Sequence, residues 1–214
     1  MSIDRSAWPF VLAAAVPAAA TAPFLPTLAL ALLVLPIAIA LFFRDPDRQA
    51  PRDPWLVLAP ADGRVMAAGP ARPGEAPPGE WQQVTIFLAL WDVHINRTPV
   101  PGRVTRVEYV PGTFKPAFQR DAHGNEHSEI WMDVDGQTVV FRQVVGILAR
   151  RVVYRIAPGD RLGAGDRIGL MKFGSRMDVF VPLSATITVR PGDRVRAGET
   201  VIARLAAGAQ HAAV

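Results

Sequence analysis

The amino-acid sequence predicts a compact, mostly β domain of the barrel-sandwich type behind an N-terminal transmembrane helical hairpin. Three observations predict it: a charge-free apolar run over residues 6–43, a succession of short β-branched runs after residue 50, and a duplicated turn motif near the C-terminus. A chain of 214 residues has room for one core domain and a short appendage.

The apolar run, SAWPFVLAAAVPAAATAPFLPTLALALLVLPIAIALFF, comes first. As one helix it would reach about 55 Å at ~1.5 Å per residue, well past a ~30 Å hydrocarbon core. Pro23 and Pro26 suit a turn, so two arms are expected, near residues 8–20 and 27–43. Arg5 precedes the run, and Arg44, Arg48 and Arg52 follow it. A hairpin puts all four on one side, which the positive-inside rule makes cytoplasmic, against anionic lipid. A cleaved signal peptide is the alternative that AAATA offers; a lone Arg5 beside Asp4 and a second apolar run speak against it. Residues 1–43 are therefore expected to form a membrane segment and residues 44–214 a separate domain.

From RDPDRQAPRDP onward the texture changes. WLVLAP, QQVTIFLAL, GRVTRVEYV, EIWMDVD, QTVVFRQVVG, RRVVYRIAP, MDVFVP and ATITVRP are strand-length and β-branched, and turn residues separate them. VGILARRVV is the best helix candidate and reads equally well as strand. The duplicated motif aligns IAPGDRLGAGDRIGL (156–170) with VRPGDRVRAGETVIA (189–203), matching Pro158 to Pro191, Asp160 to Asp193 and Gly165 to Gly198. Each unit reads as a strand, a tight turn and a return strand. Such hairpins are typical of barrel-sandwich domains resembling biotinyl and lipoyl carriers.

Composition removes several chemistries. The chain has no cysteine, which excludes disulfides, thiolate catalysis and zinc–cysteine sites. Its histidines are His94, His123, His127 and His211, too few and too scattered for a dense metal cluster, so no metal is expected. The net charge of +4 is carried almost wholly by arginine; Lys115 and Lys172 are the only lysines, so amine nucleophiles are scarce. Arginines of the β part alternate with acids, which argues against a nucleic-acid partner.

Between the two repeat units lies LMKFGSRMDVFVP (170–182), which presents both Lys172 and Ser175. Lys172 suits a carrier's attachment lysine by position, but Phe173 follows it and the acidic–Ala lead-in of carriers is missing. Ser175 follows Gly174, whose carbonyl is the least hindered of any residue. The hydroxyl can attack that carbonyl and move the acyl group from nitrogen to oxygen. Elimination of the ester leaves a dehydroalanine, and hydrolysis of that leaves a ketone, a pyruvoyl group at a new chain terminus.

GLMKFGSRMDVFVP, with APADGRV, WDVHINRTPVPGRV, NEHSEIWM and QVVGILARRV upstream of it, resembles the short bacterial form of phosphatidylserine decarboxylase. The resemblance runs from the apolar N-terminal segment and FFRDPDR through PGDRVRAGETVIARL, nearly the whole chain. It implies a proenzyme that cuts itself after Gly174, leaving a β chain to residue 174 and an α chain of residues 175–214 headed by a pyruvoyl group from Ser175. It implies conversion of phosphatidylserine to phosphatidylethanolamine with release of CO2, through a Schiff base to that group. Asp62 of PADG then belongs to an Asp–His–Ser arrangement for self-cleavage, and His94 of WDVHINRTP to proton transfer. Longer relatives carry a second histidine where Arg97 stands. Either His94 serves both steps, or His127 of NEH replaces the missing one, or Asp62 acts with less help. Arg97 first and His127 second are the expected donors to the phosphodiester.

The expected partners are phosphatidylserine in the bilayer and the two chains of the same precursor, with room for a homodimer, at the cytoplasmic face of the inner membrane. Two other functions compete: a non-enzymatic carrier or membrane adaptor module, and a decarboxylase of another serine-headed lipid.

Overall fold

A computed structural model describes residues 1–146, 152–171 and 175–207, and the chain divides into two compact units, residues 1–47 and 48–214. In the first, Ser2–Ile3 (β1) pairs antiparallel with Arg44–Asp45 (β2). Between them run Trp8–Thr21 (α1), Pro26–Leu32 (α2) and Val34–Phe42 (α3), with α1 packed on both later helices.

The expected transmembrane hairpin is not what forms. Among the described residues no helix is long and apolar enough to cross a membrane. The 14 residues of α1 span about 21 Å at ~1.5 Å per residue, short of a ~30 Å core. The second arm breaks at Leu33. Pro36 has no N–H to give the Leu32 carbonyl, and its ring crowds that oxygen. Counting apolar length overlooks this proline.

The second unit is built of strands: Leu56–Leu58 (β3), Gly63–Pro70 (β4), Trp81–Leu88 (β5), Ile95–Arg97 (β6), Gly102–Val110 (β7), His127–Val134 (β8) and Gln137–Val144 (β9). They continue with Val152–Tyr154 (β10), Arg161–Leu162 (β11), Arg167–Met171 (β12), Ser175–Pro182 (β13), Thr186–Ile187 (β14), Arg194–Val195 (β15) and Val201–Arg204 (β16). Eight of them form one sheet, β11-β7-β8-β9-β13-β5-β4-β15, curled into a half-barrel. Two three-stranded sheets, β10-β12-β6 and β14-β16-β3, complete the unit. Alternate residues of the large sheet, among them Val65, Ile86, Ile130, Phe141, Met177 and Val179, form the core together with Val57, Ile168 and Ile202 from the smaller sheets.

The barrel-sandwich of hairpins is corrected as well. The two strands of each PGD unit do not pair with each other. The first, β11 or β15, forms one edge of the large sheet, and the second, β12 or β16, joins a small one. Each turn is clamped by a different segment. Val104 N donates to Asp160 O (2.9 Å) and Gly159 N to Val104 O (2.8 Å); Val65 N donates to Asp193 O (2.9 Å) and Gly192 N to Val65 O (2.8 Å). Val65 and Val104 each end a Gly-Arg-Val triplet, 63–65 and 102–104, so the duplication extends to the clamping segments. The halves meet at Gly165 and Gly198, both at positive φ (79° and 72°), where a Cβ added to Gly198 would stand 3.4 Å from the Gly165 Cα. Of VGILARRVV, residues 147–151 lie outside the described residues, and its last two positions enter β10.

Candidate active site

Ser175 opens β13, the strand held between β9 and β5, and pairs with Leu88 at the end of β5. It is fully buried, and its Oγ has no hydrogen-bond partner among the described residues. Strand alternation puts its side chain on the core face with Met177, two residues on. Gly174 and Lys172 lie outside the described residues.

His94 stands just before β6 and is also buried, at 1% exposure. Its Nδ1 lies 2.9 Å from Asp92 O. A carbonyl only accepts, so Nδ1 carries the hydrogen of this bond. The His94 carbonyl in turn accepts from Met171 N (3.2 Å). The described residues on either side of 172–174 are thus both anchored: Met171 to His94, and Ser175 to Leu88. Both anchors belong to the single segment 88–94, which brings His94 and Ser175 to one end of the sheet.

A second contact ties His94's strand to the sheet. Gln143 Nε2 donates to Asn96 Oδ1 at 2.8 Å. Asn96 lies two residues beyond His94, on the same side of the strand. Gln143 pairs with Met177 on one side and Ser128 on the other. Asn96, Gln143 and Ser128 are fully buried. Sequence reading passed over all three. The alternation His94–x–Asn96 was the available signal, since it puts an imidazole and an amide on one strand face.

Asp62 immediately precedes β4 at the same end of the sheet, since Arg64 pairs with Phe87 and Leu88 with Ser175, and the charge of Asp92, two residues before His94, reaches it. The Asp62 carboxylate accepts from Arg48 (2.8 and 3.1 Å) and from Ala197 N (2.8 Å), and Arg48 also bonds Glu199 (2.9 Å). Burial raises the Asp62 pKa above its ordinary value, outweighing the Ala197 N–H and the Arg48 charge, which pull it down. Arg48 is therefore spent inside the fold, with a side chain only 9% exposed, and does not face lipid as its sequence position suggests. Arg97, on the opposite face of β6 from Asn96, donates to Gly165 O (3.0 Å) where the two repeat units meet.

His127 begins β8 in a row with Val144 and Arg176, so it shares the outer face of the sheet with Arg176 and not the core face of Ser175. Burial lowers its pKa first, helped by the Arg142 charge; its Nδ1–H bond to Asn125 O (2.8 Å) and the carboxylates of Glu129 and Asp178 oppose the shift. That outer face carries two buried ion pairs, Arg176–Asp178 (2.8 Å) and Arg142–Glu129 (2.7 Å). It also borders a cleft of about 500 Å³ lined by Arg72, Gln83, Thr85, Phe118 and Arg176. Among the described residues no group of acids and histidines is arranged to hold a metal ion.

A lone serine and an imidazole at one end of a sheet fit many reactions, and kinship decides among them. The sequence profile of the phosphatidylserine decarboxylase family matches residues 35–203. The chain belongs to the phosphatidylserine decarboxylase family. It is 47% identical over 207 residues to a phosphatidylserine decarboxylase proenzyme of Symbiobacterium thermophilum, covering 95% of each chain. It is 43% identical over 180 residues to a phosphatidylserine decarboxylase proenzyme of Solibacter usitatus (84% of each chain). A proenzyme of that name from Xanthobacter autotrophicus is 38% identical over 213 residues, 96% of this chain and 90% of its own. The protein is thus an enzyme, a phosphatidylserine decarboxylase, and the carrier reading of Lys172 falls away.

Proposed function

We propose that the chain cuts itself between Gly174 and Ser175 and uses the resulting pyruvoyl group to decarboxylate phosphatidylserine at the cytoplasmic face of the cell membrane. The observation that carries this reading is Ser175 Oγ: buried, without a hydrogen-bond partner among the described residues, and on a residue paired with Leu88 while Met171, four residues earlier, bonds to His94. An unsatisfied buried hydroxyl is costly for structure alone, and here it fits the precursor of a terminal ketone.

In the self-cleavage step the Ser175 oxygen bonds to the Gly174 carbonyl carbon as the peptide C–N bond breaks, and the hydroxyl proton passes to the freed nitrogen. Loss of the Ser175 Cα proton then expels Gly174 as a carboxylate, and water replaces the nitrogen of the dehydroalanine, releasing ammonia. We assign the taking and returning of these protons to His94, buried just before β6 with its carbonyl bonded to Met171 N. Asp62, with its pKa raised by burial, is a second acid–base group, acting from the Arg48 cluster. The pyruvoyl group supplies the carbonyl that draws off the electron pair left when CO2 departs. His94 then holds the proton that the substrate Cα regains. Arg97 and His127 receive no part in this proposal, because one points into the repeat junction and the other to the outer sheet face.

The test starts from protein recovered in the membrane fraction. Intact mass should show two fragments divided after Gly174, the smaller blocked to Edman sequencing. Ser175→Ala should remain one chain and release no CO2 from phosphatidylserine. A Ser175→Ala protein that still splits, or an active wild-type protein that is uncut, overturns the proposal; absence from membranes overturns the placement alone.

A further inference from the structure

The Asn96–Gln143 contact leaves hydrogen-bonding capacity over. Gln143 Nε2 donates to Asn96 Oδ1, while Asn96 Nδ2 and Gln143 Oε1, both buried, have no partner among the described residues. Exchanging oxygen and nitrogen in both amides only swaps which residue offers which atom. With one bond between them, the pair keeps one donor and one acceptor in either assignment. Ser128, directly across from Gln143 on β8, adds a buried hydroxyl that also has no partner among the described residues. Three fully buried polar side chains with leftover capacity are poor packing material, because a buried group without a partner keeps its desolvation cost.

Their place is specific. Gln143 pairs with Met177 and so stands diagonally across from Ser175 on the same face of the sheet, within reach of a long side chain. Asn96 shares its strand face with His94. The cluster therefore borders the group that reacts and the group that moves protons.

We propose that Asn96, Gln143 and Ser128 bind the amino-acid end of the serine headgroup before it reacts at residue 175. The amide acceptor takes a hydrogen of the substrate amine, and the amide donor with the Ser128 hydroxyl takes a carboxylate oxygen. The self-cleavage step would use donors alone, to hold an oxyanion. An acceptor among the leftovers fits a ligand that brings its own N–H, which the zwitterionic serine headgroup does. This assignment rests on the self-cleavage and decarboxylation reading given above.

The experiment uses full-length Gln143→Met, Asn96→Leu and Ser128→Ala, with micellar phosphatidylserine and the same lipid bearing D-serine as probes. Each variant should split like the wild type, while KM for phosphatidylserine rises about tenfold, the usual scale for a lost hydrogen bond to a charged group. The preference for the L-serine headgroup should fall in parallel, a change that a purely structural role would not produce. If an amide variant fails to melt cooperatively, Ser128→Ala, which deletes one oxygen, decides by the same two readouts. KM and headgroup preference within about twofold of wild type overturn the assignment. So does a folded variant that stays uncut, since the cluster would then serve cleavage. A cut wild type with unchanged variants sinks this inference alone; an uncut wild type sinks the underlying reading as well.

Discussion

Asp62 is a half-buried and His127 a buried ionisable group, and in each case burial favours the neutral form. For the carboxyl that means a raised pKa and for the imidazole a lowered one, so their contributions to stability run in opposite directions with pH. Below the ordinary histidine value of 6.5 an unfolded chain takes up a proton that folded His127 refuses. Stability is therefore lost as pH falls from 6.5 toward the lowered folded value. Asp62 instead keeps its proton in the fold at pH values where the unfolded chain has lost it. It adds stability as pH falls through its raised value toward 3.8. Urea midpoints taken from about pH 7 to about pH 4 should show His127→Gln flattening the upper part of the profile and Asp62→Asn flattening the lower. A His127→Gln profile that keeps the wild-type slope below 6.5 would refute the histidine assignment. At this scale the sequence was readable where a residue is rare and sits in a distinctive setting. Ser175 and His94 stood out in that way. Asn96 and Gln143 did not, because an amide inside a strand pattern reads as an outward-facing residue until the strand across from it is known.

The strands themselves were legible one by one, since β-branched runs bounded by Gly and Pro declare their length. Their partners were not. PGD announces a turn, and the natural assumption is that its flanks pair; here they diverge into different sheets because the Gly-Arg-Val segments clamp each turn from outside. Those segments owe their fit to glycine. A Cβ on Gly102 would lie 2.2 Å from Asp133 O, and one on Gly63 would lie 2.2 Å from Phe87 O. Both obstacles are backbone carbonyls of paired strands, which cannot rotate away. Gly102→Ala should therefore cost about 2–3 kcal/mol, the upper range for overpacking. Gly124→Ala, which meets nothing within 4 Å, should stay within about 0.5 kcal/mol of wild type. Urea denaturation of the two variants side by side checks the contrast, and equal costs would mean that the close approach is not what requires glycine. The helices failed in the sequence reading for a related reason. Hydropathy records how far a segment is apolar, whereas Pro36 decides how far it is helical.

At the scale of the whole molecule, the proposed break lies in a position that leaves both products interlocked. The α chain begins with β13, which is held on one side by β5 and on the other by β9, both from the β chain. Farther along, β15 pairs with β4 and β16 with β3, so each of these α-chain strands is seated on a β-chain neighbour. Met177, Val179, Val181 and Ile202 carry the same dependence into the core, where burial of each is worth about 1.5–3 kcal/mol. The Arg48 cluster adds a polar tie, since Arg48 and Asp62 come from one chain and Ala197 and Glu199 from the other. Removing the α chain would open the half-barrel at its middle and expose both faces of the break. Self-cleavage should therefore change the covalent structure without releasing a fragment. Cut protein should leave a native sizing column as one species containing both chains, and the two should part only in denaturant. Recovery of the 175–214 chain by itself in plain buffer would show that the sheet does not hold its central strand, and that the paired registers at β5 and β9 are not those of the mature enzyme.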